Sequence, residues 1–98
     1  MRLAELVDRA RDGDVEAFGD LYDEYALTVY RSIHERVYSG ELAERFTCET
    51  FISAAKGLSA WHGQDFTAWL ETIARSLMVD YFVRPAKSSS SGDEGDGA

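Results

Sequence analysis

Residues 14–38, DVEAFGDLYDEYALTVYRSIHERVY, decide the fold. Phe18, Leu21, Tyr22, Tyr25, Val29, Ile33 and Val37 recur every three or four residues, the spacing that lines one face of an α-helix. Such a helix of about 24 residues spans roughly 36 Å, enough to be the backbone of a small domain. Gly13 stops whatever precedes it, and Asp14 is a good N-cap for this segment. Ser39-Gly40 ends it.

Working outward, the same period recurs on both sides. Upstream, Leu3, Leu6, Val7 and Ala10 make a short stripe. Downstream, residues 41–56 carry Ala43, Phe46, Thr47, Thr50, Phe51, Ala54 and then Leu58 on one side, with Gly57 as a C-terminal stop. Ser59–Asp65, SAWHGQD, reads as a loop. A last helix begins near Phe66 with Trp69, Leu70, Ile73, Ala74, Leu77 and Tyr81 on one face, and Pro85 disfavours helical geometry at Arg84. The expected fold is all-α. It is a compact bundle of four helices, one short and N-terminal, one long and two medium, over residues 1–87. Residues 88–98, SSSSGDEGDGA, hold almost nothing apolar and read as a disordered acidic tail or linker.

Composition narrows the function. About 45% of the 98 residues are hydrophobic, as in a globular chain. The net charge of −8 is uneven, because residues 1–30 set Arg2, Arg9 and Arg11 against eight acidic residues while 31–87 balance at zero. A net acidic domain gains little non-specific attraction to phosphate backbones, so strong independent nucleic-acid binding is not expected. No apolar run approaches the roughly 20 residues of a membrane span, and MRLAELVDRA lacks a signal core. The single Cys48 leaves no internal disulfide. These features favour the cytoplasm.

Catalytic and metal chemistry finds few candidates. His34 and His62 lie on different elements without HxxxH or HExxH partners, so no metal site is expected, and Cys48 has no histidine at helical spacing. Paired acids such as Asp23-Glu24 read as solvated faces, and Gly13, Gly40, Gly57 and Gly63 are isolated boundaries rather than a phosphate loop. No enzyme and no cofactor is expected. Two surfaces stand out instead. On the 41–58 helix the outer side reads Arg45, Cys48, Glu49, Ile52 and Lys56, which is either an ordinary solvated face or a protein-docking one. Before the last helix, Trp61, His62 and Phe66 cluster by a glycine; exposed rings there stack on unpaired bases, whereas a packed Trp61 is a lid. Arg75, Arg84 and Lys87, with Ser76, give the last helix a thin basic edge interrupted by Asp80.

Three runs carry a resemblance: LVDRARDGDVEAFGDLYDEYALTVYRSI (6–33), ELAERFTCETFISAAKGL (41–58) and DFTAWLETIARSLMVDYFVR (65–84). In order and spacing they resemble region 2 of bacterial extracytoplasmic-function (ECF) sigma factors, most specifically in GD-x-EAF-x-x-LYD-x-Y and WL-x-x-IAR-x-x-x-x-D. The resemblance implies a helical bundle that docks on the β′ clamp helices of core RNA polymerase and captures the non-template strand of the −10 promoter element. The family's docking motif, D-L-x-Q-E-x-F, aligns with Arg45-Phe46-Thr47-Cys48-Glu49-Thr50-Phe51. Polymerase contacts are therefore expected at Arg45, Cys48, Glu49 and Ile52, with arginine and cysteine standing where the family has an acid and a glutamine. DNA contacts are expected at Trp61, His62, Arg75, Ser76 and Arg84. There the usual R-N is Arg75-Ser76, and the basic cluster after the aspartate is largely gone, with Tyr81 and Phe82 where guanidinium groups would face phosphates. An anti-sigma factor is a further implied partner. The family's C-terminal helix-turn-helix has no counterpart in these 98 residues. The alternative is a degenerate interaction module, a polymerase decoy or regulator-binding domain without promoter activity.

Overall fold

The computed structural model describes residues 2–83, so Arg84, Pro85, Lys87 and the expected tail lie outside the described residues. Among the described residues there are four helices: α1 (Leu3–Arg11), α2 (Val15–Val37), α3 (Gly40–Lys56) and α4 (Phe66–Val83). A 3₁₀ turn, Leu58–Ala60, follows α3, where the sequence reads only as loop. The all-α expectation of one short, one long and two medium helices is met.

Local chemistry sets the boundaries. Asp14 accepts hydrogen bonds from the amides of Glu16 (3.0 Å) and Ala17 (3.2 Å), satisfying two of the donors that a helix N-terminus leaves unpaired. Its other oxygen takes an ion pair from Arg9 at 2.9 Å. The α2–α3 junction is tighter than the sequence suggests. Tyr38 takes a left-handed conformation (φ 53°), and its amide bonds back to the His34 carbonyl. Ser39 then starts α3 rather than ending α2, accepting from the Leu42 amide at 3.2 Å. Asp65 does the same for α4 through the Ala68 amide.

Helix α3 packs against both α2 and α4, and α1 lies along α2. All seven positions assigned to the inner side of the third segment, from Ala43 to Leu58, are buried. The core also takes Leu6 and Val7 from α1, and Ala17, Leu21, Val29 and Ile33 from α2. Thr47 and Thr50 satisfy their buried hydroxyls by donating to the Ala43 and Phe46 carbonyls, both at 2.7 Å. In α4 the buried row is Phe66, Leu70, Ala74 and Met78, spaced by four. Trp69, Ile73 and Leu77 are only half-buried, and Tyr81 is exposed, because α4 rests on its neighbours along the four-residue row. No described helix is long and apolar enough to cross a membrane.

Candidate functional site

The outer side of α3 is on the surface. Arg45 and Cys48 are exposed, Glu49 is half-exposed, and Ile52 keeps 55% of its surface. Arg45 is tethered: its Nε lies 3.4 Å from Glu49 Oε2, and its guanidinium sits 5.8 Å from the centre of the Tyr81 ring on α4. Beside this side runs a groove between α2 and α3. One hollow of about 730 Å³ is lined by Tyr22, Ala26, Leu27, Tyr30, Glu44, Arg45 and Cys48 among others, and a second of about 540 Å³ includes Phe18, Phe51 and Ile52. Tyr22 and Cys48 line both.

The groove draws in residues that the sequence assigned elsewhere. Tyr22, expected in the core stripe, is 38% exposed and sets its ring edge-on to Phe51 at 4.9 Å. Leu27, 57% exposed, had no role at all. A helical wheel of α2 finds Leu27 off the main stripe, and that off-stripe apolar residue was the available signal.

The expected DNA-facing residues divide. Trp61 is 6% exposed, with its ring edge-on to Phe66 at 5.7 Å and its Nε1 donating to the Gln64 carbonyl at 2.8 Å. It is the lid, and its faces are not open for a base to stack on. Burying a large ring while satisfying its one polar group outweighs leaving it in water. His62 is exposed, with its amide bonded to Gln64 Oε1 at 2.6 Å, and Gly63 turns the chain at φ +94°. Gln64 and Asp65 are exposed beside it. Arg75 and Ser76 are exposed on α4. Arg84 falls outside the described residues.

Two arginines that the sequence did not single out belong to these surfaces. Arg36, in the last turn of α2, lines a hollow of about 340 Å³ with Arg75, Met78, Val79 and Phe82, so the basic edge spans two helices. Arg11, at the end of α1, donates from Nε to the Leu58 carbonyl at 3.0 Å and from Nη2 to the Trp61 carbonyl. Its Nη1 pairs with Asp8 at 2.9 Å. Tyr81 and Phe82, at the positions of the missing basic cluster, pack on Phe46 with ring centroids 5.4 and 6.2 Å away. Among the described residues no group of His, Cys, Asp or Glu could hold a metal ion.

Residues 3–87, which include this bundle and its exposed α3 face, match the family model sigma-70 region 2. The chain belongs to the sigma-70 region 2 family. It is 51% identical over 83 residues to the ECF RNA polymerase sigma factor BldN of Streptomyces coelicolor, covering 83% of this chain and 31% of that protein. It is 35% identical over 75 residues to the RNA polymerase sigma factor CarQ of Myxococcus xanthus, covering 76% and 43%. Among solved structures it resembles the RsbN–BldN complex, with 53% identity and a TM-score of 0.71, over 76% of this chain and 56% of that one. This region 2 chain thus spans less than half the length of these curated relatives.

Proposed function

We propose that this region 2 domain serves transcription initiation in the cytoplasm, docking on core RNA polymerase and holding the opened −10 promoter element. It is a binding domain rather than an enzyme. Helix α3 meets the β′ clamp helices through Arg45, Cys48, Glu49 and Ile52, and the neighbouring groove walls, Tyr22 and Leu27, extend that contact. Unpaired non-template DNA meets the exposed part of the loop, His62 to Asp65, together with Arg75 and Ser76 on α4, and Arg84 is a further contact. Trp61 supports the loop from beneath. Polymerase supplies the DNA affinity that an acidic domain lacks, and single-strand preference comes from contacts available only after melting.

The observation that carries this reading is the α3 face itself. Its charged pair and exposed isoleucine flank an apolar groove, the mix of a polar rim and apolar centre used in protein recognition. Core polymerase pull-down tests docking, and run-off transcription from a −10 template tests promoter use. Binding with transcription supports the proposal, and no binding overturns it.

A second reading has its own support. Arg45 is engaged by Glu49 and Tyr81, and aromatic rings occupy the positions of the basic cluster. A domain that binds polymerase or a regulator without opening promoters fits those substitutions, and pull-down without transcription would favour it. The matched BldN structure is a complex with RsbN, which supports a protein regulator, an anti-sigma factor, as a partner here.

A further inference from the structure

The loop after α3 is held together by short-range bonds. The Ala60 amide donates to the Gly57 carbonyl, the Trp61 amide to Leu58, the Trp61 indole to Gln64, and the His62 amide to the Gln64 side chain. These fix its internal shape and not its attitude on the bundle. Arg11 differs, because it arrives from α1, 47 residues away from Leu58 in sequence and 50 from Trp61. Its planar guanidinium spans two carbonyls that bracket the 3₁₀ turn, while Asp8 holds the third nitrogen. A lysine ammonium lacks that fork and cannot reproduce it.

We propose that Arg11 is a positioning residue for the DNA-reading loop, fixing from α1 the pose in which His62, Gly63, Gln64 and Asp65 face solvent. The inference rests on the reading of that loop as the site for unpaired DNA. A loop already held in its bound pose loses less conformational freedom when a ligand arrives, so its affinity is higher. Arg11 acts from within the domain, with one bond from each of its three nitrogens directed to Leu58, Trp61 and Asp8.

The test uses the full chain bound to core RNA polymerase of Streptomyces coelicolor. The probe is a dye-labelled single-stranded oligodeoxynucleotide that the unsubstituted complex selects from a random pool. Arg11→Ala is expected to weaken probe affinity about tenfold, roughly the worth of one or two newly mobile groups. Polymerase affinity should stay unchanged, and the slope of affinity against salt should hold. A residue that itself contacted a phosphate would instead lower that slope by about 0.7. Arg11→Lys should recover only part of the loss and serves as the variant of record if the alanine protein does not fold. Arg9→Ala removes an α1 arginine paired with Asp14 but not in contact with the loop, and should bind the probe like the parent. Hydrogen exchange should quicken at the His62–Gln64 amides of the Arg11 variants while the α4 core stays protected. Unchanged probe affinity, a reduced salt slope, full recovery with lysine, or an equal loss with Arg9→Ala would each overturn the assignment. If the unsubstituted complex selects no probe, the reading of the loop fails and the inference with it; if it selects one and the variants bind it equally, only the inference fails.

Discussion

Glu49→Arg separates docking from folding. Within the domain, Glu49 makes one exposed ion pair, to Arg45 at 3.4 Å, with the two side chains 42% and 60% accessible. Such an i,i+4 pair is worth about 0.3–0.5 kcal/mol, and the like-charge pair replacing it costs a similar amount. The total stays within about 1 kcal/mol, which moves the melting temperature of a domain this size by about 4–8 °C. At an interface the same reversal meets a partner arranged for a carboxylate, where misplaced charge costs several kcal/mol. A loss of about 2.7 kcal/mol is a hundredfold in affinity. Titrating labelled chain with core polymerase should therefore show about a hundredfold weaker binding, while circular dichroism shows the parent's helix content. Equal affinity for both proteins would refute the docking face; lost helicity would refute the claim that Glu49 is peripheral to folding.

The double change Arg45→Asp with Cys48→Gln should tighten polymerase binding in the same titration, and a drop would mean that the partner surface differs from the family's usual one. Asp14→Asn keeps an N-cap but removes the charge. The Ala17 amide and then Arg9 hold the Asp14 carboxyl below its ordinary value of 3.8, so its contribution is present above that pH and fades as the folded form becomes protonated. Melting curves of the two proteins should differ at neutral pH and converge in acid. Phe46→Ala should cost about 3–5 kcal/mol by chemical denaturation, because Phe46 is nearly fully buried beneath Tyr81 and Phe82.

Periodicity made the bundle legible because burial is a property of one helix side. In the 41–58 stretch Ala43, Phe46, Phe51 and Ala54 set the inner side by helical spacing, Thr47 and Thr50 fall between them, and Cys48, Glu49 and Ile52 follow on the outer side. The α4 face was harder to read. That helix is apolar around much of its circumference, with Val79, Tyr81, Phe82 and Val83 all exposed, so no pattern distinguishes the row that packs from the one that does not. Trp61 shows a different limit, since a ring beside a glycine suits a lid and a stacking platform equally. What decides is the burial of Trp61 in the core of the bundle, a tertiary fact, with the Gln64 carbonyl then satisfying the indole locally. Arg11 is less legible still, because a surface arginine on a short helix of balanced charge looks the same whether or not it bonds to a loop 47 residues away.

The two departures from the family pattern, separate in sequence, meet in space. Arg45 interrupts the docking motif and Tyr81-Phe82 replace the basic cluster, yet the Arg45 guanidinium lies over the Tyr81 ring and both rings rest on Phe46. An aspartate at 45 would have no cation–π attraction for that ring, and a guanidinium at 81 would sit beside Arg45 rather than beneath it. Each replacement thus suits the other. Restoring position 45 alone gives up the Tyr81 contact for a gain at the interface. The proposed docking face on α3 and the end of α4 are for this reason one packing unit, in which a change at one site is felt at the other.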